Sequence, residues 1–126
     1  MIIQNRTAFT GDQRQGDVKR VLCVCYGNQL RSPTAALVLS GEPFNFNTRS
    51  CGVDPNSAVC LIDNVMVEWA NEIVVMEDLH KSIIQQLFPG LLKPIIVLGL
   101  SDNYTYRDPI LMSLVAERYQ AVVRAG

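Results

Sequence analysis

The sequence holds one histidine, one tryptophan and four cysteines in 126 residues, and each scarcity excludes something. A lone histidine and the absence of paired Cys-x-x-Cys units leave no ligand set at the usual spacing for structural zinc, and no metal or cofactor is expected. Cysteines at 23, 25, 51 and 60 lack the density and spacing of a secreted disulfide scaffold, so reduced thiols in a cytoplasmic setting are expected. No uncharged apolar run approaches the roughly 18 residues of a membrane span. The stretch MIIQNRTAFTGDQRQGD has no apolar signal core, and no export signal is read there. Excess charge is missing too, with 11 Lys and Arg against 12 Asp and Glu, a net charge of −1. That argues against broad capture of nucleic acid or an anionic membrane, so any affinity for phosphate has to be local.

What is present fits one soluble globular domain, 48% hydrophobic and 18% charged. Residues 1–17 show no periodicity and read as a flexible or loosely docked leader, with the domain at 18–126. KRVLCVC is a short β-branched run suited to a strand buried on both faces. Pro33 suits the first turn of a helix with Ser32 as its cap, and TAALVLSG runs to a stop at Gly41. FNTRSCG reads as a weaker strand. LIDNVMVEWA reads as a helix with Ile62, Val65, Met66 and Trp69 on one face. EIVVME is a buried strand, and DLHKSIIQQLFPG a helix with Ile83, Ile84, Leu87 and Phe88 inward. KPIIVLGL is a fourth strand, and a helix opens at Pro109. The alternation predicts an α/β fold of three layers, α/β/α, with a four-stranded parallel sheet. In such sheets ligands bind at the carboxyl ends of the strands.

Cys25 stands at such an end, in the run CYGNQLRSP. Backbone N–H groups of residues 26 to 31 (Tyr26, Gly27, Asn28, Gln29, Leu30 and Arg31) can point inward on a phosphate, aided by the partial positive charge of a helix N-terminus. Arg31 adds a planar fork matched to two phosphoryl oxygens. The same positive field favours Cys25 as a thiolate, to which Ser32 can donate its hydroxyl. Gly27 lets the backbone approach the anion, and Asn28 suits a left-handed kink.

C-x-G-N-x-x-R-S-P at a strand-to-helix junction resembles the low-molecular-weight protein tyrosine phosphatases, of the compact bacterial or viral type. RSCGVDPNS, VEWANEIVVMEDLHKSIIQQLFP and SDNYTYRDPIL resemble later segments of that family, so the likeness spans roughly residues 19 to 123. It implies a flavodoxin-like, doubly wound sheet in the order 2-1-3-4. It also implies hydrolysis of aryl phosphates such as phosphotyrosine through a phosphocysteine, with Cys25, Arg31 and Asp108 catalytic. The expected partners are a phosphorylated protein or a small aryl phosphate, with phosphate, sulfate or vanadate as site ligands and no cofactor. Independently of the likeness, Asp108-Pro109 follows the fourth strand on the rim that carries Cys25, where a carboxyl can act as general acid and then as base. Capping of the last helix is a compatible role for Asp108.

Two departures matter. Leu30 stands where many members carry a second cysteine, which removes a neighbouring loop disulfide as protection for Cys25. Ile110-Leu111 replaces a pair of tyrosines, leaving Tyr104 and Tyr106 as substrate wall or as loop packing. Cys23 and Trp69 read as core, Cys51 as packing near the loop with a redox role as the lesser reading, Cys60 as a helix-start residue, and His80 as a surface residue or local hydrogen-bond partner. Two alternatives stand beside the phosphatase. One is a phosphate-binding module without turnover, and the other an arsenate reductase, disfavoured because no cysteine follows Cys60.

Overall fold

Val21 to Cys25 is an unbroken apolar run, and all five residues are buried, as the middle of a sheet covered on both faces requires. The computed structural model describes residues 18–27, 30–101, 103–105 and 107–125. The leader at 1–17 and the site residues Asn28, Gln29 and Tyr106 lie outside the described residues. Along the chain run β1 (Arg20–Cys25), α1 (Arg31–Ser40), β2 (Asn47–Gly52), α2 (Asn64–Trp69), β3 (Glu72–Val75), α3 (Asp78–Leu87), β4 (Ile95–Val97) and α4 (Pro109–Ala125). The strands form one sheet in the order β2-β1-β3-β4, every pairing parallel, as expected.

Side chains of β1 alternate between two cores. Val21, Cys23 and Cys25 join Ala35 and Leu39 of α1 and Leu111, Val115 and Tyr119 of α4. Leu22 and Val24 face Val67 of α2 and Ile84 of α3. Two helices on each face thus give the three layers. Burial of a side chain such as Leu39 or Ile84 contributes about 1.5–3 kcal/mol.

Several sequence expectations need correction. Ser32 is not a cap: α1 begins at Arg31 with Leu30 at the N-cap, and the Ser32 hydroxyl is used elsewhere. The second helix is shorter than its periodicity predicts, because Asp63 accepts a hydrogen bond from the Met66 N–H at 2.9 Å and starts the helix at Asn64. Residues ahead of it are extended instead, with Leu61 bridged to Gly52, so Cys60 does not start a helix. Val65 is consequently turned outward, 70% exposed. On α3 the inward positions are His80 and Ile84, with Ile83 and Phe88 at the flank, and Leu87 points to solvent. His80 is buried, not at the surface, and occupies the stripe position that would otherwise fall to an aliphatic residue. Trp69 is half-buried at the edge of its core, with the Arg49 guanidinium 4.4 Å from its ring centroid.

Candidate active site

β1, β3 and β4 end side by side, and three chain segments meet there. Cys25 is the last residue of β1 and only 3% exposed. Its Sγ donates to Ser32 Oγ at 3.2 Å, and Ser32 Oγ passes the bond on to the Cys51 carbonyl at 3.2 Å. A hydroxyl rotates without moving its oxygen, so Ser32 can instead donate to the sulfur when the sulfur carries charge.

The loop after Cys25 is aimed by its carbonyls. Cys25 O and Tyr26 O both accept from Val53 N–H, at 3.1 and 3.0 Å, Tyr26 O accepts from Asp54 N–H at 3.0 Å, and Gly27 O accepts from Val59 N–H at 3.2 Å. A trans peptide points each N–H opposite to the preceding carbonyl. The N–H groups of Tyr26 and Gly27 therefore face away from the 53–59 segment. Leu30 as N-cap offers no side-chain acceptor to the first turn of α1, an arrangement suited to an external anion. The Tyr26 side chain is 44% exposed at the rim.

Arg31 is 6% exposed and held from two sides. Its Nη1 donates to the Leu100 carbonyl at 2.8 Å and pairs with Glu77 Oε2. Glu77 is the functional residue that sequence reasoning did not single out. The available signal was its place two residues after β3, the neighbour of β1, where a carboxylate faces the arginine that opens α1. Glu77 also caps α3: its carboxylate accepts the His80 N–H, and His80 Nδ1 accepts the Glu77 N–H at 3.2 Å. Burial, and then the Arg31 charge, hold His80 below its ordinary pKa of 6.5 against the opposing pull of Glu77. The imidazole is thus neutral, as an accepting Nδ1 requires.

Asp108 is half-buried and caps α4, accepting the Ile110 N–H through Oδ1 at 2.8 Å. Its loop is tied to the first turn of α1 by Arg107 N–H on Thr34 Oγ1, 3.1 Å. Tyr104 is half-buried and packs on the core cluster that includes Cys25. Ile110 is 64% exposed and Leu111 fully buried, so only the first of that pair faces outward.

Burial pushes the thiols of Cys23 and Cys51 up. Neither is placed to bridge Cys25. Cys23 precedes it by two positions on β1, where the two side chains project in parallel from one face and not toward each other. Cys51 pairs with Val24 and packs in the opposite core. Among the described residues no group of three or more His, Cys, Asp or Glu side chains is placed to hold a metal ion. No helix among them is long and apolar enough to cross a membrane.

No protein-family model matches the chain, and comparison with curated proteins finds no match. Solved structures do match. The YwlE arginine phosphatase of Geobacillus stearothermophilus superposes with a TM-score of 0.62 at 22% identity, over 85% of this chain and 90% of that one. Vibrio vulnificus Wzb, in complex with benzylphosphonate, gives 0.67 at 19% identity, over 86% and 99%. A low-molecular-weight protein tyrosine phosphatase from T. tengcongensis gives 0.62 at 18% identity, over 85% and 97%. With a four-stranded parallel sheet in the order β2-β1-β3-β4 that superposes on these structures over most of their length, this chain has the fold of the low-molecular-weight protein tyrosine phosphatases.

Proposed function

We propose that the chain is a cysteine-dependent phosphomonoesterase that hydrolyses aryl phosphates, phosphotyrosine in a protein or a smaller aryl ester, through a phosphocysteine. One observation carries this reading: Cys25, Ser32 and Arg31 converge at the carboxyl end of β1, the sulfur bonded to the serine and the guanidinium held inward by Glu77 and Leu100. In the first step Cys25 Sγ attacks phosphorus, and the ester oxygen leaves with a proton from Asp108. Capping uses Oδ1 of that carboxyl, and Oδ2 is the oxygen that carries the proton. Arg31 and the loop N–H groups take the equatorial charge, and Ser32 rotates from the Cys51 carbonyl to steady the sulfur as it is expelled. In the second step Asp108 takes a proton from water, which attacks the phosphocysteine and returns Cys25.

The similarity of Vibrio vulnificus Wzb, whose structure holds benzylphosphonate, supports an aromatic leaving group. The similarity to an arginine phosphatase makes phosphoarginine the competing substrate. Phosphate release from phosphotyrosine and phosphoarginine peptides by the wild type and Cys25→Ser tests the reading. Release from phosphotyrosine that falls to background in Cys25→Ser is the expected result. Preference for phosphoarginine would replace the aryl assignment, and binding of phosphate without release from either peptide would make the chain a binding module.

A further inference from the structure

Cys51 and Cys60, which the phosphatase chemistry leaves unused, are neighbours. Gly52 and Leu61 form a parallel bridge, closed by Gly52 N–H on Cys60 O at 2.8 Å and Ile62 N–H on Gly52 O at 2.9 Å. One residue back on each segment, Cys51 stands beside Cys60. Paired residues of a ladder project to the same side, and both cysteines pack into the cluster that holds Val24 and Ile62. Leu61, between Cys60 and Ile62, is turned outward. Paired strands lie about 4.7–4.9 Å apart, inside the Cα separation of about 4.4–6.8 Å that a disulfide spans. The remaining adjustment falls on Cys60, which belongs to a loop joined to β2 by one bridge.

We propose that Cys51 and Cys60 are a peroxide-oxidisable dithiol whose disulfide fastens the 53–59 segment beside the anion loop. The half-buried Cys60 reacts first: its sulfur attacks one oxygen of hydrogen peroxide, giving a sulfenic acid and one water. Cys51 sulfur then attacks the sulfenic sulfur, the S–S bond forms, and the hydroxyl leaves as a second water. Two thiols and one peroxide thus become one disulfide and two waters. Burial, and then Asp63, push the Cys60 thiol up, so the reaction accelerates with rising pH. The oxidised bond closes the segment whose Val53, Asp54 and Val59 N–H groups hold the carbonyls of Cys25, Tyr26 and Gly27. Cys25 does not take part, since its side chain lies in the other core.

The experiment treats the Cys25→Ser variant of the full chain with hydrogen peroxide, alkylates the remaining thiols, and cleaves before Asp54 to part the two cysteines. The expected product has lost two hydrogens, carries its Cys51 and Cys60 fragments joined, and melts a few degrees higher because the cross-link restricts the unfolded chain. Dithiothreitol reverses all three, and adding Cys60→Ser abolishes them. Cys51→Ala repeats the control from the other side. Full alkylation of both cysteines after peroxide, a sulfinic acid on Cys60 alone, or Cys51 joined to Cys23 would overturn the proposal.

Discussion

Arg31 is the residue on which most of the site's electrostatics converge, and its geometry separates shape from charge. Its Nη1 anchors on both the Glu77 carboxylate and the Leu100 carbonyl, and the planar group held in this way can present two parallel donors to an oxyanion, which an ammonium cannot. Arg31→Lys is therefore expected to lose most activity in steady-state assays while the protein stays folded. Glu77→Gln keeps an acceptor for Arg31 and for the α3 cap but removes the charge that orients the guanidinium. Misplacement of such a group can cost up to about 10²-fold, and the loss should appear in kcat/KM with little change in Tm. His80 gives a pH test. Its folded pKa lies below the unfolded value of 6.5, so below 6.5 the unfolded chain binds the proton more readily. The stabilisation from neutral His80 is complete above 6.5 and is lost as pH falls from there through the folded value. His80→Gln should flatten the acid limb of Tm against pH over that window. Retention of the full wild-type slope would assign the acid limb to other groups.

At the scale of elements, the start of α4 lets two roles of one residue be separated. Asn caps a helix about as well as Asp, whereas replacement of such a cap by Ala costs about 0.5–2 kcal/mol. Asp108→Asn thus keeps the cap and removes the acid; Asp108→Ala removes both. The Asn variant should keep its Tm yet slow the first step on phosphotyrosine by about 10²–10⁴-fold, with far less effect on p-nitrophenyl phosphate, whose leaving group hardly needs a proton. Equal losses on both substrates in the burst phase would leave Asp108 as a cap alone.

The elements were legible in the sequence where one signal decided them. The β1 run and the Pro109 helix start each stand on local chemistry, and the structure places them as read, with Cys25 closing β1 and Arg31 opening α1. Misreadings arose where two local signals competed. Asp63 overrode the apolar period that runs through Ile62 and Val65, and His80 took a buried position that its polarity argued against. The Glu77 pairing shows only once a carboxylate just past β3 is combined with the order that puts β3 beside β1, a property of the sheet rather than of any short segment.

Over the whole molecule, the Cys25 loop and a buried ionic network stand at opposite ends of the sheet. At the amino ends of the strands Glu72, 6% exposed, accepts from Tyr119 Oη at 2.7 Å and from Lys19 Nζ at 3.1 Å, and Lys19 Nζ lies 5.2 Å from the centroid of the Phe46 ring. This network ties the chain just before β1 to β3 and α4, across the layer that carries Cys25. Tyr119→Phe leaves a buried carboxylate short of a donor and should destabilise the fold by about 1–3 kcal/mol, measured by urea unfolding, with kcat unchanged in the folded fraction. Separation of the two ends allows that outcome, since Lys19 precedes the first residue of β1 and Cys25 is its last.

The central claim is that Cys25 carries the phosphoryl group, and the most direct measurement is the mass of the acid-quenched enzyme during turnover of p-nitrophenyl phosphate. Asp108→Asn serves as the slow-hydrolysis variant, with Cys25→Ser as reference. The expected result is one phosphate per chain in Asp108→Asn, located by fragmentation on Cys25 and not on Cys23, with nitrophenol release abolished in Cys25→Ser. Undiminished release by Cys25→Ser, or a phosphate found on any other residue of Asp108→Asn, would contradict it.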